Sequence, residues 1–514
     1  MNCGAYIKFD YLNLTVKIFG LTFEWKPKEG TEYLTHNTVH QSVVGQKVYI
    51  PTRVINRTVK IIIDGKIFQG SFSVSKGICT IRAKLDKEHR FLTSITNVKF
   101  DKKVTNSEKK IDYYGKKFKY PVVSITYTAE VTDTKKMKDI TEDLSGYSNL
   151  EIMKKLFKDE VIKSKEPGFI YETRPKAKFA EFSRIEGMLL GIAIGDSLGN
   201  TSESMTPEQR KQEYGLITDY LPNKHAHNKP IGLPSDDTQL SFDTLEVILN
   251  KGRLDMEELA KVFSSHRIFG IGKTVKEFLR NYKDYKDPWY MSGVVGGAGN
   301  GALMRIAPVL ISSLANKTEN PRADTILATM LTHNSPLAIG SSVAFVNMLY
   351  EFVSLKKGSP DPDKLIKEFV EILEAFTGEA RCNIRNTKIK SKFSGSAPTF
   401  IREALQFGYE NNMTVEQFGE YFGSGAYVLE TDTVLLYILS KYLNDPEEAI
   451  IQAVNYTKDN DTMASIVGAA MGALYGKARF KESWITKLSG RIRENDDGKI
   501  FEMIDRTKEF LSGK

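Results

Sequence analysis

Two segments in the second half of the chain carry glycine and alanine at helical spacing. They are IEGMLLGIAIG, Ile185–Gly195, and MASIVGAAMGALYG, Met463–Gly476. Small residues on one helix face remove side-chain bulk, so that the backbones of two helices can approach each other closely. Helical periodicity also dominates around both segments. The pattern therefore predicts a compact, mainly α-helical domain over residues 179–514.

The first 135 residues instead have the composition and spacing of β-strands. In TVKIIIDGKIFQGSFSV, Asp64-Gly65 lies between two β-prone runs, which is a strong hairpin signal. YPVVSITYTAEVT, Tyr120–Thr132, is rich in β-branched residues and is a further strand candidate. The basic run KKVTNSEKK before it is typical of a solvated hairpin tip. We predict a β-rich N-terminal domain over residues 1–135, with no catalytic chemistry of its own.

The length of the chain supports this division. A chain of 514 residues is too long for one ordinary hydrophobic core, so several domains are expected. Residues 136–178 are lysine-rich and helical, with a break at Pro167-Gly168. We predict a multi-domain protein in which this helical connector joins the β-rich domain to the all-α domain.

The composition narrows the class of protein. With 41% hydrophobic and 26% charged residues, the chain is typical of a soluble globular protein. No apolar run reaches the roughly 18 residues of a membrane span, and the first residues do not resemble a signal peptide. The three cysteines, Cys3, Cys79 and Cys382, lack metal-type spacing. We predict a cytoplasmic protein with no membrane partner, whose net charge of +8 reflects a lysine-rich surface and not nucleic-acid binding.

Two predicted helices begin with two carboxylates and a hydroxyl. These residues are Ser235, Asp236 and Asp237 before one helix, and Asp459, Asp461 and Thr462 before the other. Serine and aspartate are preferred helix N-caps, so both groups could simply begin helices. Mg²⁺ also prefers oxygen ligands, and converging carboxylates need a cation, so the two groups could instead meet around two metal ions. Their spacing alone leaves both interpretations open.

A glycine-rich segment, GGAGNGALMRIAPVL, runs from Gly296 to Leu310. Its glycines could expose successive backbone N–H groups to a phosphate before a helix begins. A tight turn without a ligand is the alternative.

Three further polar residues stand beside apolar helices. Asp196 and Glu203 lie in GMLLGIAIGDSLGNTSES, and His333 lies in LTHNSPLA. Solvated acids and a structural histidine are the alternatives to a functional site.

Taken in order, six segments resemble the ADP-ribosylglycohydrolase family. They are GMLLGIAIGDSLGNTSE, SDDTQL, GNGALMRIAPV, LTHNSP, GSGAYVLET and DNDTMASIVGAAMGALYG, spanning about Ile185 to Lys477. The resemblance implies an all-α domain that holds two Mg²⁺ ions, or Mn²⁺ instead, in a central cleft and hydrolyses ADP-ribose linkages. It does not extend to the first 175 residues.

The resemblance also implies roles for individual residues. The implied metal ligands are Ser235, Asp236, Asp237, Asp459, Asp461 and Thr462. The implied acids and bases of the reaction are Asp236, Asp237, Glu203 and Asp461. The implied substrate-binding residues are Gly297, Gly299, Asn300, Gly301, His333 and Tyr427. Tyr427 is our first choice for the ring on which adenine stacks, and Trp289 or Tyr290 is the second.

The sequence departs from the family pattern in three ways. Ser235 stands where the family has threonine, which keeps the oxygen. Lys458 and Asn460 flank Asp459 where the family usually has small residues, so Lys458 could crowd a metal site or point away from it. A proline common near the glutamate equivalent to Glu203 is also missing.

We therefore expect a Mg²⁺-dependent hydrolase that removes ADP-ribose from a modified protein, most simply from arginine. An alternative is an immunity or counter-defence protein that binds an ADP-ribosylating toxin through the N-terminal domain and reverses its modification. A non-catalytic binding protein is a third interpretation, disfavoured because every oxygen ligand is present.

Overall fold

A computed structural model describes the chain. It describes residues 144, 146–172, 181–284, 286–315, 318, 320–356, 358–386, 389, 393 and 395–513, and, between residues 4 and 136, the strands given below and Gly65. The chain divides into two compact units, Met1–Thr141 and Glu142–Lys514.

Ten strands are described in the first unit. They are β1 Gly4–Asp10, β2 Asn13–Ile18, β3 Leu21–Trp25, β4 Thr38–Val43, β5 Gln46–Pro51, β6 Val54–Ile63, β7 Lys66–Ser75, β8 Ile78–Lys84, β9 Leu92–Tyr113 and β10 Lys116–Lys136. Eight form one sheet in the order β3-β2-β1-β8-β7-β6-β10-β9, and β4 pairs with β5 separately. That these strands make an independent β-rich domain stays a prediction.

The predicted turn at Asp64-Gly65 lies between two paired strands. β6 and β7 are antiparallel, with Ile63 opposite Lys66. Gly65 has a φ of +78°, a conformation that glycine adopts without strain. Asp64 itself lies outside the described residues.

The basic run KKVTNSEKK is part of a strand, and the prediction of a hairpin tip was wrong. It lies within β9, which pairs antiparallel with β10 from Tyr113 opposite Lys116 onward. β9 is an edge strand, and every side chain from Lys103 to Lys110 is exposed. A strand with solvent on both faces has no apolar alternation, and lysines protect such an edge from pairing with other chains.

The second unit consists mainly of helices. They are α1 Asn149–Lys158, α2 Phe182–Gly199, α3 Pro207–Tyr214, α4 Asp236–Lys251, α5 Met256–Ser265, α6 Lys273–Leu279, α7 Trp289–Ser292, α8 Leu310–Leu314, α9 Pro321–Met330, α10 Pro336–Ser354, α11 Pro362–Thr377, α12 Ala397–Glu410, α13 Val415–Phe422, α14 Val428–Tyr442, α15 Pro446–Tyr456, α16 Asn460–Tyr475, α17 Glu482–Thr486 and α18 Lys499–Ser512. Two short parallel strands, β11 Val294–Val295 and β12 His333–Asn334, lie among them.

The two small-residue segments form α2 and α16, whose backbones touch. A Cβ added to Gly191 would lie 2.0 Å from the carbonyl oxygen of Gly468, and one added to Gly199 would lie 2.4 Å from the α-carbon of Asp461. Because position 191 meets 468 and position 199 meets 461, the helices are antiparallel. The C-terminal end of α2 is thereby held against the first residues of α16.

The described part of the predicted connector packs onto the helical unit. The buried face of α1 consists of Ile152, Met153, Leu156 and Phe157. The Asn149 side chain donates to Asp324 Oδ1 at 2.6 Å, and the Lys163 backbone N–H donates to Asn334 Oδ1 at 2.8 Å. Its amphipathic sequence therefore serves packing as well as connection.

The absence of any segment apolar enough for a membrane was also predicted, and α10 departs from that prediction. In the part of the chain that the structure describes, this 19-residue helix is long and apolar enough to cross a membrane, with a mean hydropathy of 1.4 over an 18-residue stretch. Because 78% of that stretch is buried inside the protein, burial in the core accounts for the apolar character of α10.

Candidate active site

The side chains at the N-cap positions of α4 and α16 do not cap their helices. Ser235 occupies the N-cap position of α4, but its hydroxyl donates to Asp196 Oδ1 at 2.7 Å and accepts no bond from the helix backbone. Asp459 occupies the N-cap position of α16, and its carboxylate accepts from the side chain of Asn300 at 2.6 Å. The capping interpretation therefore fails at both helix starts.

Asp196, at the end of α2, takes over the capping of α4. Its buried carboxylate accepts the backbone N–H groups of Ser235 and Thr238, at 2.8 and 3.1 Å, and the Thr238 hydroxyl at 2.6 Å. The side chain of Asn200 donates to it at 3.0 Å. Burial raises the pKa of Asp196, and these hydrogen bonds oppose the rise. The sequence showed Asp196 only as one acid in a glycine-rich helix, and its role in joining two helices was not predicted.

Six carboxylates from α2, α4, α16 and the turn after α2 converge at this point. Oxygens of Asp196, Asp237 and Asp461 lie within 4.8 Å of one another, and so do oxygens of Glu203, Asp459 and Asp461. Asp461 belongs to both groups. Burial, and then the charge of nearby Asp196, raises the pKa of Asp236 to about 8. We call these six residues the acidic cluster.

The electrostatics of the acidic cluster are unfavourable without a cation. Burial is the largest cause that raises the pKa values of Asp237 and Asp461 well above the usual range of a carboxyl group, and the charges of neighbouring acids add to it. Asp237 Oδ1 is buried and has no hydrogen-bond partner among the described residues. Converging carboxylate oxygens, one of which has no protein partner, are the donor set of a hard divalent cation, so the cluster could bind a metal ion.

Arg210 is a buried cation beside the cluster, but its hydrogen bonds go elsewhere. Its guanidinium donates to the backbone carbonyls of Met205, Val454 and Thr457. Its charge acts on Asp461 without a hydrogen bond between them. Arg210 therefore fixes the chain that leads to α16 and leaves the cluster's oxygens uncovered.

The two predicted hydroxyl ligands keep lone pairs free. Ser235 donates its proton to Asp196, which leaves the oxygen able to coordinate a cation. The Thr462 hydroxyl has only the sulfur of Met304, at 3.9 Å, as a described partner.

The structure also accounts for the two residues beside Asp459 that depart from the family pattern, Lys458 and Asn460. Lys458 is exposed. Asn460 is buried, and its side chain donates to the Gly199 carbonyl and the Ser202 hydroxyl, both at 3.1 Å. Asn460 thus ties the start of α16 to the end of α2.

The predicted glycine loop lies against the cluster. The Asn300 side chain reaches both Asp459 and the Thr431 hydroxyl, the latter at 3.1 Å. The Asn300 backbone N–H donates to Ala426, and Val428 donates back to Ala298. Among the described residues, none accepts from the N–H groups of Gly299 and Gly301. The loop therefore presents free donors next to the acids, whereas Gly297 donates its N–H to Val294.

His333 packs against the same loop from within. A Cβ on Gly301 would lie 3.1 Å from its ring, and one on Gly299 would lie 3.4 Å from Nε2. Burial, and then the charge of Arg305, lower the pKa of His333 to about 3, so the ring is neutral at physiological pH.

The aromatic rings proposed for adenine are less open than predicted. Tyr427 pairs with Gly299 through the loop and is buried, and the guanidinium of Arg385 lies 4.3 Å from its ring centroid. Trp289 and Tyr290 are buried and meet edge to face at 5.6 Å. Stacking on the covered face of Tyr427 would require Arg385 to move.

Comparison with known proteins places this arrangement in a family. The family model described as ADP-ribosylglycohydrolase matches residues 177–510. The chain is 26% identical over 316 residues to the ADP-ribosyl-[dinitrogen reductase] glycohydrolase of Rhodospirillum rubrum, covering 60% of this chain and 91% of that protein. It is 24% identical to the ADP-ribosylarginine hydrolase Tri1 of Serratia proteamaculans, covering 59% and 75%, and 25% identical to human ADP-ribosylhydrolase ARH3, covering 60% and 90%.

The match covers more than half of the chain and includes every residue of the acidic cluster. The chain therefore belongs to the ADP-ribosylglycohydrolase family, a family of enzymes that hydrolyse ADP-ribose linkages.

Proposed function

We propose that this protein is a Mg²⁺-dependent hydrolase that removes ADP-ribose from arginine side chains of modified proteins. One observation carries the proposal: two groups of three carboxylates share Asp461, and each group gathers its oxygens within 4.8 Å. The relative named an ADP-ribosylarginine hydrolase supports arginine as the acceptor.

The proposed ligands of two Mg²⁺ ions, or of Mn²⁺ in their place, come from the two helix starts. They are Ser235, Asp236, Asp237, Asp459, Asp461 and Thr462. Bound divalent ions would neutralise the cluster and polarise a water molecule and the ribose hydroxyls. The unpartnered Asp237 oxygen and the free lone pairs of Ser235 support this ligand set.

Glu203 is our proposed general base. It is an exposed member of the cluster, and partial desolvation of its carboxylate, with Asp459 and Asp196 nearby, raises its pKa. A raised pKa makes a carboxylate a better proton acceptor at neutral pH. The bond between C1″ and the arginine nitrogen would break through an oxocarbenium-like state while water attacks C1″. Glu203 would take a proton from that water, and a proton would pass to the leaving guanidine nitrogen.

The loop at Gly297–Gly301 is proposed to bind the ADP-ribose itself. Its free N–H groups at Gly299 and Gly301 suit phosphate oxygens. Asn300 would link that part of the substrate to the ligand Asp459. Tyr427 remains our proposed contact for adenine.

We propose that the strands of the first unit form a domain that recognises the modified protein. The family match begins at residue 177, and every catalytic residue proposed above lies within it and outside that unit. The relatives' names do not indicate a toxin partner, and we assign the domain to substrate recognition alone.

The experiment incubates the purified protein with arginine-, serine- and nucleic-acid-linked ADP-ribose, with Mg²⁺ or with EDTA, and measures free ADP-ribose. Release from the arginine linkage that Mg²⁺ supports and EDTA stops is expected. Release from another linkage alone would show that arginine is not the acceptor. Equal release in EDTA would show that the reaction does not require a metal ion.

A further inference from the structure

We propose that Arg305 and Thr332 are positioning residues that fix the ring proton of His333 on Nε2, where it donates a hydrogen bond to a phosphate oxygen of bound ADP-ribose. The proposal rests on the proposed function, because the ligand is the group that the enzyme would remove.

The first step concerns the direction of two hydrogen bonds. Arg305 donates to the Thr332 hydroxyl oxygen at 2.7 Å, and that oxygen lies 2.8 Å from His333 Nδ1. An arginine can only donate, so the hydroxyl accepts from it and keeps its own proton to give. The available acceptor is Nδ1. His333 then carries its single proton on Nε2.

The second step is that these three residues are buried. Arg305 and Thr332 are fully buried, and His333 is 1% exposed. Arg305 also donates to the Ala328 carbonyl at 2.9 Å, and its guanidinium lies 4.9 Å from the centroid of the Phe263 ring. No described carboxylate pairs with Arg305, and its Nη2 is held by two neutral oxygens, those of the Ala328 carbonyl and the Thr332 hydroxyl.

The third step concerns what Nε2 faces. The two glycine positions nearest to it are Gly299 and Gly301, and a Cβ at either would lie 3.4 Å from Nε2. No described residue accepts a hydrogen bond from Nε2 or from the N–H groups of these two glycines. Three donors without protein partners therefore border the gap left by the missing side chains. A group rich in acceptor oxygens, such as a phosphate, matches that set.

Neutrality of the ring completes the argument. Burial and the charge of Arg305 hold the pKa of His333 far below its usual range. His333 would therefore remain a donor of one fixed proton across the physiological pH range, and it would not act as a base.

The test compares three threonine variants. Thr332→Val removes the hydroxyl while keeping the shape, and Thr332→Ser restores the hydroxyl. Thr329→Val is the matched control, because Thr329 is also fully buried at the end of α9 but its hydroxyl donates to the Thr325 carbonyl. We expect Thr332→Val to weaken ADP-ribose binding about tenfold by calorimetry, with kcat nearly unchanged, since one oriented hydrogen bond is lost. Thr332→Ser and Thr329→Val should bind like the wild type.

A second measurement reports the proton directly. The chain has seven histidines, and the ring ¹⁵N signals of His333 can be assigned by their loss in His333→Gln. We expect a protonated Nε2 and an unprotonated Nδ1 in the wild type and in Thr332→Ser, and a mixture of tautomers in Thr332→Val.

The outcomes separate the two proposals. A wild-type ring protonated on Nδ1, or a folded Thr332→Val variant with unchanged tautomer and affinity, overturns the positioning role. A wild-type protein that shows the Nε2 proton but neither binds ADP-ribose nor releases it from a modified substrate contradicts the proposed function and the phosphate contact, and leaves the tautomer assignment standing.

Discussion

The same residue types begin helices in two parts of the helical unit, and their side chains behave in opposite ways. At nine of the described helices the N-cap side chain accepts a backbone N–H of its own helix. These caps are Ser148, Thr206, Asp255, Asn320, Ser335, Asp361, Ser396, Thr414 and Asp445. At α4 and α16, Ser235 and Asp459 turn away from their helices toward other side chains. A serine or aspartate at an N-cap position that does not cap its own helix is therefore a more specific sign of function than the residue type alone.

The two parts also differ in what they contribute to stability. An ordinary cap stabilises a helix by about 1 kcal/mol. The acidic cluster instead buries carboxylates whose charges repel each other, which raises the pKa values of Asp237 and Asp461. Such a site persists because the packing of α2 against α16 holds it in place, and a bound cation would relieve the repulsion.

Asp461→Asn should have the largest effect. Asp461 is common to both groups of carboxylates, so its loss should lower kcat by about 1,000-fold or more, equivalent to about 4 kcal/mol. In EDTA the variant should melt at a higher temperature than the wild type, because one repelling charge is gone.

The matched control is Asp445→Asn at the cap of α15, which should keep full activity because asparagine caps equally well. Release assays and melting curves with and without Mg²⁺ measure both effects. A wild-type rate of ADP-ribose release by Asp461→Asn would show that the acidic cluster does not need Asp461 for activity.

Gly191→Ala should have the next largest effect, because the cluster depends on the contact between α2 and α16. The new methyl would meet the Gly468 carbonyl oxygen at 2.0 Å, a distance that requires the backbones to separate. We expect a loss of about 3 kcal/mol in the free energy of unfolding and a weaker response to Mg²⁺.

Gly146→Ala is the control for this prediction, because a Cβ there meets nothing within 4 Å. Urea unfolding measures both variants. Equal stability of the two would mean that α2 and α16 can separate without cost.

Substitution of Asp432 tests whether a buried acid outside the acidic cluster affects stability independently of Mg²⁺. It lies in α14, accepts a hydrogen bond from Ser341, and burial raises its pKa to about 8. Between about pH 4 and pH 8 the unfolded chain loses this proton while the folded protein keeps it, so stability falls as pH rises through that window. Asp432→Asn should therefore raise the free energy of unfolding by about 2 kcal/mol at pH 8 and leave it unchanged near pH 4.

Mg²⁺ should not alter that difference, because Asp432 does not belong to the acidic cluster. Urea titrations at both pH values, with and without Mg²⁺, measure it. A gain that disappears when Mg²⁺ is added would link Asp432 to the cluster after all.

Sequence reasoning reached the chemistry of the site but not its connections. The spacing of Ser235-Asp236-Asp237 and Asp459-Asn460-Asp461 did not distinguish metal ligands from helix caps, because acids are common at helix starts. The order of the six family-like segments distinguished them. The meeting of the two acid groups depends on Gly199 touching Asp461 in space, which no local pattern reveals. The capping of α4 by Asp196 from another helix was hidden for the same reason. In the first unit, the polar run within β9 was mistaken for a turn because an edge strand exposed on both faces has no alternation.

The smallest effects come from a pair of hydroxyls that compares the two kinds of helix start directly. Thr414 caps α13 by accepting the Gln417 N–H at 3.2 Å, whereas the Ser235 hydroxyl donates to Asp196. Thr414→Ala should cost about 1 kcal/mol of stability and leave activity and its Mg²⁺ dependence unchanged. Ser235→Ala should raise the Mg²⁺ concentration for half-maximal activity about tenfold, since a ligand oxygen is removed. A Mg²⁺ titration of activity beside a melting curve separates the two variants. If Ser235→Ala loses stability only, with an unchanged Mg²⁺ requirement, then the Ser235 hydroxyl serves only to bond Asp196. The two helix starts would then differ only in the hydrogen-bond partner of the hydroxyl.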